Sequence, residues 1–242
     1  MLIKSIFQRL LVESKLDFLA NDVNRSTIRR LVDLMDKINE LPRRKEGNFV
    51  TRTGSFVIRV ENEKVAVAPR TFNVNIQTKV FHTKEKNAAI VEASWDWATK
   101  ELDVFLNIQS VTGKIETLHL SMVRSRLYNV IRHELEHSSQ GSDLAASSIE
   151  SGHEMSQDKA NLEKKKRYYT DASEVPAFVA GIRNQSKKEH RSFYDVMEDD
   201  LDRIRKSIFR IGTIDEKTTE SVVDSIRKVW IDYAKDRYPG LK

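Results

Sequence analysis

One change of period decides what this chain can fold into. Between about residues 48 and 120 apolar and polar side chains alternate. Phe72, Val74 and Ile76 are interleaved with Asn73 and Asn75, and Leu102, Val104, Leu106 and Ile108 with Asp103, Phe105 and Asn107. A period of two marks half-buried strands, because successive side chains of a strand point to opposite faces. On both sides of this stretch the apolar residues recur at three-to-four spacing, the period of a helix with one buried face. The expected fold class is therefore α+β: a mostly antiparallel sheet with N-terminal and C-terminal helices. Three parts are expected, at residues 1–45, 46–186 and 187–242.

In detail, residues 3–20 read as one helix. A second starts from a cap at Asn24 to Ser26 and runs through Ile28, Leu31, Met35 and Ile38. Pro42, the basic run Arg43–Arg44–Lys45 and Gly47 end this part. Gly113 is expected to turn the strand ending near Ile108 back into a strand over 115–120, with Ser121 capping a helix after it. Residues 141–167 are polar and serine-rich and read as a loop, a possible lid, with Lys164 to Arg167 as solvated surface. The tail, 191–237, shows two helical patterns broken near Gly212.

Composition removes several function classes. The chain has 242 residues, enough for a sizeable core, and no cysteine. Disulfides, thiolate ligands and a thiol nucleophile are excluded, so any metal must be held by imidazole and carboxylate. The net charge is +5, from 41 basic and 36 acidic residues. They are interleaved, which argues against a nucleic-acid stripe. No apolar run reaches membrane-spanning length, and the first twelve residues lack a signal-peptide cleavage pattern, so the expected location is the cytoplasm.

The chemistry is concentrated in His133-Glu134-Leu135-Glu136-His137. On a helix, residues four apart point nearly the same way, so His133 and His137 can bind one ion. Glu134 flanks that face and can reach a water there without being a ligand. Shuffling this composition yields the pattern on the order of 0.01 times per chain. A catalytic zinc takes three protein ligands and keeps one position open. The best third ligand is Glu174, at the start of a second apolar-faced helix, where Ser173 is the expected cap and Pro176 fits the first turn. His153, Asp171 and His119 are its rivals. Tyr168 and Tyr169 are candidate oxyanion donors, with ordinary aromatic packing as the plainer reading of both. Asp171, Gln140 or Glu136 are candidates for orienting a ligand imidazole.

This segment resembles the active-site helix of zincin metallopeptidases. The downstream Glu174-x-x-Ala177 step is similar to the gluzincin branch, where a glutamate on a second helix completes a His-His-Glu site. No histidine follows at the metzincin position. The resemblance spans residues 121–178, and Glu136 departs from it by placing a charge between the histidines. It implies a zincin-like core at 46–186, with the sheet packed on the His133–His137 helix, and Zn²⁺ held by His133, His137 and Glu174. It further implies Glu134 as general base and a peptide or protein substrate, paired along an exposed edge strand at 101–109 or 115–120. Two other classes compete. One is a zincin-like binding or structural protein with a non-catalytic metal site. The other is a nucleic-acid-associated protein using Lys164 to Arg167, Lys187, Lys188, Arg203, Arg205, Lys206 and Arg210. The acids at Glu198, Asp199, Asp200 and Asp202 interrupt that last set.

Overall fold

Alternation along the strands becomes, in the computed structural model, a sheet with one face turned to the core. The structure describes residues 2–41, 49–59, 71–96, 98–139, 162–209 and 214–241. Contacts group the chain into two compact units, Met1–Ser138 and Ser139–Lys242. The division expected at 45/46 and 186/187 follows composition, whereas this grouping follows packing. No helix among the described residues is long and apolar enough to cross a membrane.

The first unit holds α1 (Leu2–Asn39), β1 (Phe49–Arg59), β2 (Thr71–His82), β3 (Ala88–Asp96), β4 (Glu101–Ser110) and α2 (Thr117–His137). The strand order is β1-β2-β4-β3. β1/β2 and β3/β4 are antiparallel, and β2/β4 is parallel, with Asn73 opposite Glu101 and His82 opposite Ser110. The sheet is therefore mixed. Alternation reveals which face a residue takes, not the direction of its neighbour, so the parallel seam left no mark in the pattern. Phe72, Val74 and Ile76 of β2 and Leu102, Val104 and Leu106 of β4 face the core with at most 2% exposure. Val123, Leu127, Ile131 and Leu135 of α2, each 0% exposed and four residues apart, join the same core, with α2 packed chiefly on β3.

Three expectations for this unit are overturned. The N-terminal region is one helix, not two. Asn24 is 2% exposed and Thr27 is fully buried, so the polar residues there sit on an inward face. With neither glycine nor proline nearby, nothing interrupts the backbone ladder. Residues 117–120 are the first turn of α2 rather than a strand. The turn after β4 is closed locally: Ser110 Oγ donates to the Lys114 carbonyl at 2.6 Å, and Gly113 takes φ +71°. Glu116, not Ser121, is the N-cap, and its backbone N–H donates to His119 Nδ1 at 3.0 Å.

Thr78 is fully buried in β2, and its hydroxyl has no hydrogen-bond partner among the described residues. A buried polar atom without a partner costs about 1–3 kcal/mol. Thr78→Val keeps the branched shape and removes the hydroxyl. It is expected to raise stability by about 1 kcal/mol, read as a higher urea midpoint at unchanged m-value. A lower midpoint would show that the hydroxyl is satisfied in solution.

The second unit comprises α3 (Leu162–Thr170), α4 (Glu174–Glu189), α5 (Phe193–Phe209) and α6 (Glu216–Arg237). The last two match the expected helical tail; Gly212 itself lies outside the described residues, as do residues 140–161 with His153, Gln140 and Gly141. Asp215 caps α6 by accepting from the Thr218 N–H at 2.9 Å. Its side chains hold α5 through Arg205–Glu220 and Arg227–Glu198 pairs. Arg203 pairs with Asp200, and Lys206 with Asp202. The basic run at 164–167 is helical and only partly solvated. Lys165 is buried and donates to Ser207 Oγ at 2.7 Å, tying α3 to α5.

Candidate metal and acid–base site

In the first unit, the last turns of α2 carry the paired imidazoles. His133 and His137 are 8% and 5% exposed. Their Nε2 atoms lie 3.1 Å apart, with the rings nearly perpendicular at 80°. Two nitrogens bound to one tetrahedral ion at ordinary zinc distances lie about 3.3 Å apart. The separation fits a shared cation. It also fits one N–H donated from one ring nitrogen to the other. By donor type, two imidazoles in a chain without cysteine suit a borderline ion such as Zn²⁺.

Glu134 lies beside them. Its Oε1 is 3.9 Å from His133 Nε2, and its Oε2 accepts the backbone N–H of Trp95 at 2.9 Å. One oxygen is thus anchored to β3, and the other faces the imidazoles. The hydrogen bond from Trp95 fixes the orientation of the carboxylate beside the two imidazoles. The anchor escaped the sequence reading because a backbone donor leaves no side-chain signal. Arg126, also on α2, donates to the Ala89 carbonyl on the same strand.

Glu136 accepts from Arg132 at 2.6 Å, one turn back. Arg132 is fully buried and also reaches Asp17 on α1 at 3.0 Å. The Arg132–Glu136 spacing was readable as an i,i+4 pair; the partner on α1 was not. His119 is no ligand candidate. It is fully buried, accepts at Nδ1 from Glu116 and faces the Gln109 carbonyl with Nε2 at 3.0 Å, which assigns that nitrogen as the donor. It lies about 21 Å along the helix from His133. Strand β4 is central, so it cannot serve as the edge for a substrate; β1 and β3 are the edges.

In the second unit, Glu174 opens α4 and is 2% exposed. Ser173 precedes it but makes no side-chain cap; its hydroxyl and its N–H both bond Asp171 Oδ1 instead. Pro176 occupies the first turn, where no N–H is needed. Tyr168 and Tyr169 pack with Phe178 and Trp230, the Phe178 and Trp230 rings stacking at 5.0 Å. The Tyr169 hydroxyl is pushed up to about 12, first by burial and then by the negative charge of Glu174, with Arg203 opposing. Tyr169 therefore keeps its proton throughout the physiological range.

A pH prediction follows from the sign of that shift. The unfolded tyrosine titrates near 10. The folded state holds the proton more tightly, so this stabilisation is complete below about pH 10 and is lost as pH rises through about 12. Urea midpoints at pH 9 and pH 11.5 should differ less in Tyr169→Phe than in the parent chain. Equal differences would remove Tyr169 from the account.

Comparison with protein-family models, with curated proteins and with solved structures found no match.

Proposed function

We propose that this chain is a zinc-dependent hydrolase, a metallopeptidase of the HExxH type with a zincin-like core. The observation that carries the reading is the 3.1 Å approach of His133 Nε2 and His137 Nε2 on one buried helix face. Glu174 is proposed as the third ligand. Its support is the Glu174-x-x-Ala177 pattern and a carboxylate that is almost completely buried at the start of α4.

A divalent ion held by these residues supplies Lewis acidity, polarising a carbonyl and acidifying water. Glu134 Oε1 accepts the proton of the attacking water as the carbon–oxygen bond forms. It returns that proton to the leaving nitrogen as the carbon–nitrogen bond breaks. The Trp95 N–H holds Oε2 during both transfers and fixes the direction of the lone pair. Tyr169, protonated at working pH, is the proposed donor to the developing oxyanion.

The test starts with elemental analysis of the purified protein. Zinc near one equivalent is expected, together with peptide-library hydrolysis that a chelator abolishes and added zinc restores. Hydrolysis that survives complete metal removal would end this reading. Saturating zinc at about 1,000 times its Kd should also add about 4 kcal/mol of stability, seen as a higher Tm.

One observation favours the alternative, a binding protein with a non-catalytic metal. The Ala89 carbonyl and the Trp95 N–H of edge strand β3 are both bonded to α2 side chains. An extended peptide cannot use those two groups, so pairing along the whole of β3 is closed to it. Stoichiometric zinc with no hydrolysis of any peptide would select that alternative.

A further inference from the structure

A guanidinium cannot shed its proton, so a buried one must be paired. Arg132, 0% exposed, satisfies this with two carboxylates: Asp17 Oδ1 at 3.0 Å from Nε and Glu136 Oε2 at 2.6 Å from Nη1. Residues four apart share a helix face, and adjacent residues are rotated by about 100°. Arg132 and Glu136 therefore occupy the face next to that of His133 and His137. The acid between the two histidines is directed to α1 through Arg132 rather than left in the site.

We propose that Asp17, Arg132 and Glu136 form a positioning device for cation binding. Asp17 fixes the rotation of α2 against α1 through Arg132, which presets the two imidazoles. The inference rests on the metal-site reading, and its test separates the two.

Buried ion triads can often be replaced by apolar side chains of similar volume without loss of folding. The triple variant Asp17→Leu, Arg132→Met, Glu136→Leu removes the charges and keeps the packing. The full chain, stripped of metal, is titrated with Zn²⁺ against a chromophoric chelator and with Co²⁺ by absorption. A thermal melt without metal reports folding independently. The triple variant is expected to melt cooperatively yet bind Zn²⁺ about 10- to 100-fold more weakly, with altered Co²⁺ bands. Asp17→Ala, at a side chain 15% exposed, cuts the tie from Arg132 to α1 and should weaken binding several-fold; it carries the test if the triple variant does not fold. Unchanged affinity and an unchanged Co²⁺ spectrum in a folded variant overturn the positioning role while leaving the metal site standing. A parent chain that binds neither ion overturns both.

Discussion

Glu134→Gln is expected to retain zinc and to lower hydrolysis by about 10²- to 10⁴-fold, the range of a single acid–base group. The substitution is close to isosteric. The new amide oxygen can still accept the Trp95 N–H, which now engages Oε2 at 2.9 Å. The amide nitrogen then faces the imidazoles where Oε1 stood, and a neutral amide nitrogen takes no proton. The effect should therefore fall on turnover, with metal content, melting temperature and KM little changed. Elemental analysis and kcat on one peptide substrate measure both halves. Wild-type turnover in a zinc-loaded variant would refute the role given to Glu134.

The second large effect is structural and lies in the helical unit. Trp230 is fully buried, stacks on Phe178 at 5.0 Å and donates its indole N–H to the Tyr169 carbonyl at 2.8 Å. Trp230→Ala opens a cavity at the junction of α3, α4 and α6 and removes that donor. A cost of about 3–5 kcal/mol is expected, read by urea denaturation. Trp230→Phe keeps most of the ring and loses only the hydrogen bond, with a cost nearer 1 kcal/mol. Phe178 stands one turn from Glu174 on α4, so the alanine variant should also weaken zinc binding if Glu174 is a ligand. An alanine variant that unfolds at the parent's urea concentration would show that the aromatic cluster is not what holds this unit.

What the sequence disclosed depended on where the information resides. The helix bearing His133 and His137 was legible because both its apolar spacing and its chemical motif lie on side chains. The faces of β2 and β4 were legible for the same reason. The partnering of strands was not, since parallel and antiparallel neighbours impose the same alternation. Asn24 and Ser26 looked like a cap because polar residues in a row usually face water; here Asn24 is turned inward on an unbroken helix. Lys165 misled in the same way, its ammonium group bonded to Ser207 rather than to solvent. The anchoring of Glu134 was out of reach altogether, because any residue except proline at position 95 supplies the same N–H.

The placement of β4 has a consequence for how the sheet assembles. It is the last strand made, yet it lies between β2 and β3. β3 and β4 meet at Asp96 and Glu101, with the Lys100 N–H donating to the Asp96 carbonyl at 2.9 Å, and can form as a local ribbon, while the β2–β4 seam joins residues 28 apart, as in Asn73 with Glu101. Closing that longer loop costs more chain entropy than closing the ribbon. Synthesis of the strands in order leaves β2 with an open flank until the ribbon docks. Destabilising changes on the β2 side of the seam, such as Val74→Ala, should therefore mainly speed unfolding, whereas changes within the β3–β4 turn should slow folding.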